Sequence, residues 1–242
     1  MDEFTITLSS EQNCYITSDY HYGHKNIVKG VTAWDGKDQC RDFNTIEEMN
    51  DRMVKATNSI VAPDDWLICL GDWSFGGIEN IWNFRKRLNV ENIILILGNH
   101  DKHITNNNVL PNVVKEIFPS GKTVLFHDSP TTNTITEPVR ARDIFNIVSP
   151  YCQLRVKYPN HAYTADLNHK PLASWQRMSS GRVHFFGHCH LKGDDRFVFP
   201  GRCMDIGVEG NEYKPYDFRD LYKHIEQRPI KNFKFYRNNN DN

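Results

Sequence analysis

The sequence predicts an α/β fold built on sheet strands covered on both faces, and three observations carry this. Four short apolar runs, Cys14 to Thr17, Trp66 to Leu70, Ile93 to Leu97 and Val183 to Phe186, are each bounded by polar residues or glycine, the pattern of fully buried strands of a sheet. Two amphipathic helical stretches separate the first three runs, and strand, helix, strand, helix, strand implies parallel neighbours. Beyond about Lys122 the pattern changes to shorter extended stretches, so the second half is expected to be richer in strands and loops.

The first helix is announced by Thr45-Ile46-Glu47-Glu48, a capping box, and continues through Met49, Met53, Ala56 and Ile60 near helical spacing. Ile78, Ile81, Trp82, Arg85 and Leu88 give the second stripe, and Arg85, Lys86 and Arg87 put positive charge on its C-terminal turn, where the macrodipole favours it. Gln153 to Tyr158 and Ala162 to Leu167 read as extended. From Lys214 to Arg237, seven Lys/Arg against three Asp/Glu interleave with Tyr216, Phe218, Tyr222, Phe233, Phe235 and Tyr236. This stripe is read as a helix followed by an edge strand with solvated basic residues, rather than a polyanion site. No linker or repeat divides the chain, so a single domain is expected over residues 1–237, with a frayed Asn-rich tail at 238–242.

Composition excludes several classes. In 242 residues, 29 Lys+Arg against 30 Asp+Glu leave a formal charge of −1, which argues against a protein that coats duplex nucleic acid by charge alone. With 24% charged and 12% aromatic residues the chain lacks the signature of disorder. Its apolar runs are far shorter than the ~20 residues a membrane helix needs, and the start, MDEFTITLSS, has no apolar segment of a secretory signal. The 6 cysteines form no C-x-x-C pair and read as free thiols of a reducing compartment, which sets the expectation of a cytoplasmic protein, or of the host cytoplasm if the source is viral. The 11 histidines are the more suggestive count.

The residues immediately after each buried run carry the chemistry. Cys14 to Thr17 is followed by Ser18-Asp19-Tyr20-His21-Tyr22-Gly23-His24, and Trp66 to Leu70 by Gly71-Asp72. Ile93 to Leu97 leads into Gly98-Asn99-His100-Asp101, and Val183 to Phe186 into Gly187-His188-Cys189-His190. Ligands of α/β sheets sit beyond the carboxyl ends of the strands, so these loops can converge on one site. Each piece alone is ordinary turn chemistry. Core packing, however, does not require carboxylate, imidazole and amide groups to recur at the same end of four runs.

In order, Asp19-x-His21, Gly71-Asp72, Gly98-Asn99-His100-Asp101, His169 and Gly187-His188-Cys189-His190 resemble the motifs of the calcineurin-like metallophosphoesterase superfamily. Asp19-Tyr-His21-Tyr-Gly23-His24 and His169-Lys-Pro171-Leu172-Ala-Ser-Trp175 resemble its small bacterial and phage-type members. The resemblance implies a four-layer α/β/β/α sandwich, two mixed sheets flanked by helices, and a two-metal site. In it Asp19, His21 and His190 hold one ion, Asn99, His169 and His188 the other, and Asp72 bridges them. His169 is the weakest match, with His161 and His127 as the other candidates in its interval. Mixed imidazole, carboxylate and amide ligands suit two divalent transition-metal ions, Mn²⁺ first, with Fe, Zn²⁺ or Ni²⁺ as alternatives. The implied reaction is attack of a metal-bridging hydroxide on phosphorus, with His100 as general acid and Asp101 orienting its ring. The implied partner is a phosphoester, taken to be a phosphodiester in a nucleotide or nucleic acid, with no membrane involved. The protein phosphatase branch carries arginines beside its G-D and G-N-H motifs, whereas Trp73 and Leu97 stand here, and without an arginine clamp a diester is favoured over a monoester.

Other residues have plainer roles to set beside functional ones. His24 and Arg41 are candidate substrate contacts, Arg41 within a segment, Gly30 to Phe43, that includes Trp34 and Lys37 and reads as a lid or an ordinary surface loop. Cys189 is expected to be a buried, inert thiol. Trp73, Phe75 and Trp175 are expected to be core aromatics rather than base-stacking platforms. A mononuclear iron site on Asp19, His21 and one later histidine leaves Asp72, Asn99 and the His188/His190 pair unexplained. A non-catalytic nucleotide-binding module finds no support in the motifs.

Overall fold

The structure, a computed structural model, describes residues 2–32, 40–117, 124–127 and 135–230, the side chains of 116, 117, 124–127, 135 and 136 excepted. Trp34, Lys37, Phe233, Phe235, Tyr236, the side chain of His127 and the 238–242 tail therefore lie outside it.

Two five-stranded mixed sheets form the body of the fold, with a three-stranded sheet beside them. Strand β1 is Asp2–Thr7, β2 Cys14–Thr17, β3 Trp66–Cys69, β4 Asn92–Ile96, β5 Val109–Ile117, β6 Val124–His127 and β7 Ile135–Arg140. Next come β8 Ile147–Ser149, β9 Tyr151–Lys157, β10 Ala162–Asn168, β11 Val183–Phe186, β12 Cys203–Asp205 and β13 Tyr216–Asp217. One sheet runs β13-β2-β3-β4-β8, with β2, β3, β4 and β8 parallel, and the other β1-β9-β10-β11-β12. The two sheets clasp a shared core. Cys14, Ile16, Ile68, Leu70, Ile94 and Ile96 from the first face Cys152, Leu154, Val156, Ala165, Leu167, Val183 and Phe185 from the second, the every-other-residue pattern of pleated strands.

The opposite face of the first sheet, including Leu67, Cys69, Ile93 and Leu95, packs on helices α1 (Ile46–Asn58) and α2 (Glu79–Arg85). Helix α1 starts as its sequence predicts: the Glu48 amide donates to Thr45 Oγ1 at 3.1 Å. The reciprocal arm is displaced by one residue, because Glu48 Oε2 accepts from the Asn44 amide at 2.9 Å. A short α3 (Lys102–Thr105) comes after the G-N-H-D loop, and α4 (Phe218–Glu226) inserts Phe218, Leu221 and Ile225 into the core between the sheets. Among the described residues no helix is long and apolar enough to cross a membrane.

One expectation is corrected. Val183 to Phe186 is a buried strand, but it belongs to the second sheet rather than joining the first three runs in one. An apolar run buried on both faces looks the same in either sheet, and pairing partners are not written in its periodicity. The functional geometry survives because both sheets end at the same edge. Thr17, Cys69 and Leu95 are in register across β2, β3 and β4, and Leu167 pairs with Phe185 across β10 and β11. A parallel bridge between Ser18 and Gly207 ties the ends of the two sheets together.

His184 shows what an ordinary histidine does here. It is fully buried on β11, its Nδ1–H donating to the Asp166 carbonyl at 3.0 Å and its Nε2 accepting from the Leu172 amide at 3.3 Å. Burial pushes its pKa down to about 4, against the pull of the Asp166 hydrogen bond. Since an unfolded histidine titrates near 6.5, the neutral ring's contribution is complete above that pH and is lost as pH falls through about 4. Wild type should therefore lose on the order of 3 kcal/mol from this group between pH 7 and pH 4. Urea midpoints of wild type and His184→Gln across that range measure it; parallel pH profiles would refute the assignment.

Candidate metal centre

Five of the seven sequence-predicted ligands sit in left-handed backbone: Asp19 at φ 60°, His21 at 51°, Asp72 at 53°, His188 at 71° and His190 at 52°. A non-glycine residue there costs on the order of 1 kcal/mol or more, so the loops are held in this shape by other contacts. The Asp19 amide donates to the Gly71 carbonyl at 3.0 Å and that of His21 to the Asp72 carbonyl at 2.9 Å, stitching the first two loops together. The His188 amide donates to Asp19 Oδ2 at 2.9 Å, and the His100 amide to Asp72 Oδ1 at 2.9 Å. Close approach also explains two glycines. A Cβ on Gly98 would strike Asp72 Oδ1, and one on Gly187 would strike Ser18 Oγ and Asp19 Oδ2.

These contacts use one oxygen of each aspartate and leave the other facing the histidines. Asp72 Oδ2 lies 3.4 Å from His21 Nε2 and 3.5 Å from His169 Nε2, between the two groups of ligands. Asp19 Oδ1, buried and without a hydrogen-bond partner, lies 3.7 Å from His190 Nε2 and 3.9 Å from His21 Nε2. The second nitrogen of two histidines fixes which one is bare. His169 Nδ1–H donates to the Leu70 carbonyl at 2.7 Å, so its Nε2 presents a lone pair, and this meets Asn99 Oδ1 at 2.9 Å. His190 Nδ1–H donates to Glu209 Oε1 at 2.7 Å, and its Nε2 meets His21 Nε2 at 3.2 Å. The His188 ring packs edge-on to His169, centroids 5.0 Å apart.

Carboxylate oxygens and imidazole nitrogens thus converge on one region, with His21 Nε2 and His190 Nε2 within hydrogen-bond distance of each other. Asp19, His21 and His190 form one cluster able to hold a metal, and Asp19, Asp72 and His169 another. Asp19 is shared by both clusters, and Asp72 Oδ2 reaches histidines of both. Burial, with Glu209 and Asp72 nearby and against the pull of His190, pushes the Asp19 carboxyl up to about 7. At His190 burial favours the neutral ring, but the Glu209 carboxylate outweighs it and lifts the pKa to about 9. Imidazole nitrogens with carboxylate and amide oxygens fit divalent transition-metal ions, which bind the neutral form of each ring.

His100 is exposed at the mouth of the cleft, its ring 5.4 Å from His21 and edge-on to Phe75 at 5.1 Å. His24 stacks on Phe75, centroids 4.0 Å apart, and lines the same cleft. Burial, then the neighbouring His100, lowers its pKa to about 4. Trp73 and Trp175 are core residues, as expected. Cys189 is half-buried rather than buried, and burial raises its thiol to about 11.

Two residues do something other than the sequence suggests. Asp101, expected to orient His100, instead has its carboxylate on the amides of Gly98 (2.8 Å), Asp72 (2.9 Å) and Trp73 (3.0 Å), clamping two loops. Arg41, expected on a lid touching substrate, is 1% exposed and paired with Glu209, Nε to Oε1 at 2.7 Å. It belongs to the interior because its planar fork satisfies several buried acceptors at once, the Asp19 and Tyr20 carbonyls and Glu209 Oε1. Glu209 is not legible in the sequence at all. The rule that a ligating histidine hands its other N–H to a carboxylate or carbonyl demands such a partner for His190, without saying where in the chain it lies.

Comparison with known proteins is consistent with this arrangement. The model of the calcineurin-like phosphoesterase family matches residues 13–192. The chain belongs to that family. All seven candidate ligands fall inside the family's span and Glu209 falls outside it. An uncharacterized protein of Methanocaldococcus jannaschii, MJ1445, is 35% identical over 95 residues, which are 38% of this chain and 49% of that protein, so the match spans about half of the relative. A crystal structure of AQ665 from Aquifex aeolicus, a protein of unknown function, aligns with a TM-score of 0.54 at 17% identity, covering 88% of this chain and all of that one, a likeness of fold.

Proposed function

We propose that this family member is a metal-dependent phosphoesterase, a hydrolase that works with two divalent transition-metal ions, Mn²⁺ foremost, on a phosphodiester of a nucleotide or nucleic acid. The observation that carries the reading is the convergence of Asp19 Oδ1, Asp72 Oδ2 and the Nε2 atoms of His21, His169 and His190 in two adjoining clusters that share Asp19. Asp19, His21 and His190 would hold one ion, Asn99, His169 and His188 the other, and Asp72 would touch both. When bound, such ions polarise the phosphoryl group and lower the pKa of a water enough for it to attack at neutral pH.

The chain's own residues do the rest. The bond between the Asp72 carboxylate and the His100 amide fixes His100 relative to the ligands. His100 then gives a proton to the departing oxygen as the P–O bond breaks. A cavity of about 290 Å³, sharing Asn99 and His100 with the main cleft and lined also by Phe75, Ile81 and Ile104, offers room for the leaving group on the far side of His100. The diester reading is supported by the absence of an arginine from the lining of the main cleft among the described residues: Arg41 is committed to Glu209, and Lys192, which does line the cleft, is a point charge that cannot clamp a monoester bidentately. The six free cysteines support a reducing, cytoplasmic setting.

Assay of an aryl phosphodiester and its monoester with Mn²⁺, Fe²⁺, Zn²⁺ and Mg²⁺, with chelator controls, tests the reading. Mn²⁺-dependent diester hydrolysis is expected. Faster turnover of the monoester would replace the diester reading with a phosphomonoesterase, and no turnover with any metal would leave a binding module. For His100→Gln, turnover is expected to fall ~10²-fold or more with metal content unchanged; loss of metal would make His100 a ligand.

A further inference from the structure

We propose that Arg41 and Glu209 are positioning residues for one half of the centre. The buried guanidinium fixes the Asp19–His21 turn and, through Glu209, the tautomer and aim of His190. This rests on the metal reading above, and it concerns a carboxylate outside the segment that defines the family.

Three nitrogens of the guanidinium meet acceptors that shape the site, and Nη1 also lies 3.7 Å from Met49 Sδ in the core. Nη1 donates to the Tyr20 carbonyl at 2.7 Å and Nη2 to the Asp19 carbonyl. Nε and Nη2 both lie 2.7 Å from Glu209 Oε1. The two carbonyls belong to a turn whose ends, Asp19 and His21, are both left-handed, so the arginine captures the backbone in the one shape that turns both side chains inward. The same Glu209 oxygen accepts the Nδ1–H of His190, which in the neutral ring makes Nε2 the free nitrogen, directed at His21 Nε2 and Asp19 Oδ1. A lysine would not substitute, since a point charge cannot hold three acceptors in one plane.

The arrangement is lopsided. Among the described residues, no hydrogen bond of Arg41 or Glu209 reaches Asn99, His169 or His188, and His169 takes its orientation from the Leu70 carbonyl. Loss of Glu209, which reaches the centre through His190, should weaken one metal and spare the other, as a general loss of stability would not do, whereas loss of Arg41 also loosens Asp19, which both clusters share.

Equilibrium dialysis of Mn²⁺ against the intact chain reads this directly. Wild type should bind two equivalents. Glu209→Ala should weaken one equivalent ~10–100-fold and leave the other unchanged, and Arg41→Met should weaken that same equivalent at least as much. Glu209→Gln, which keeps an oxygen for His190 Nδ1–H, should recover most of the loss. Combining Arg41→Met with Glu209→Ala should cost less than the sum of the two, because Arg41 acts in part through Glu209 Oε1. Wild-type affinity in Glu209→Ala, or a parallel loss of both equivalents that Glu209→Gln does not relieve, overturns the proposal. If Arg41→Met does not fold, the two Glu209 variants decide. A wild type that binds no transition metal refutes the metal reading itself, whereas a wild type with two equivalents and an unselective Glu209→Ala refutes only the positioning role.

Discussion

Asp72→Asn should lower turnover by on the order of 10³-fold while leaving the fold intact. The two oxygens of Asp72 have separate tasks. Oδ1 accepts the His100 amide, and an asparagine oxygen can accept the same bond, so the G-N-H-D loop should keep its place. Oδ2 faces both His21 and His169 at 3.4 and 3.5 Å, and there the substitution puts an amide NH₂, a donor with no charge, where the two groups of ligands meet. Cations held in common lose a shared anion, and the several kcal/mol of charge stabilisation they lend a phosphoryl transfer corresponds to roughly three decades of rate. Metal stoichiometry, turnover and melting temperature should be measured together. The expected pattern is a deficit of bound metal and of rate with little change in melting. Unimpaired turnover would end the bridging role of Asp72, and a collapse of melting temperature would show that its carboxylate supports the fold instead.

How much of this is legible in the sequence depends on what each residue contacts. The strands β2 and β11 and the positions Asp19, Asp72 and His188 can be read because a buried apolar run leading at once into glycine and a polar residue, or into a polar residue alone, is a local signal. Even His169, with a weak motif around it, lies where the resemblance implies, 2.9 Å from Asn99. What cannot be read is anything that depends on which distant group a side chain meets. Arg41 looks like a surface charge in a polar loop, yet it is buried against Glu209, which is 168 residues away in the chain. The partner of His169 is a backbone carbonyl, that of Leu70, which every residue supplies and no pattern marks. The sheet to which β11 belongs is hidden for the same reason, since burial has a periodicity and pairing does not.

Asp101→Ala is the strongest expected effect on stability, about 4 kcal/mol, or a fall of roughly 12 °C in melting temperature for a chain of this size. The carboxylate accepts three amide N–H groups, from Gly98, Asp72 and Trp73, in a buried setting. Removing it strands three donors, each costing about 1–3 kcal/mol when left unpaired, reduced where water enters the space. It also frees the G-D loop from the G-N-H-D loop, so Asp72 and Asn99 lose their mutual alignment. Asp101→Asn should fall between, because its oxygen can still serve one loop while its NH₂ is set against another donor. A residue that merely oriented His100 would give a different result, a loss of kcat with unchanged melting and unchanged metal affinity. The clamp predicts that melting temperature, metal affinity and turnover decline together in Asp101→Ala and recover in part in Asp101→Asn. A kcat defect in Asp101→Ala at wild-type melting temperature would restore the orienting role that the sequence pattern suggests.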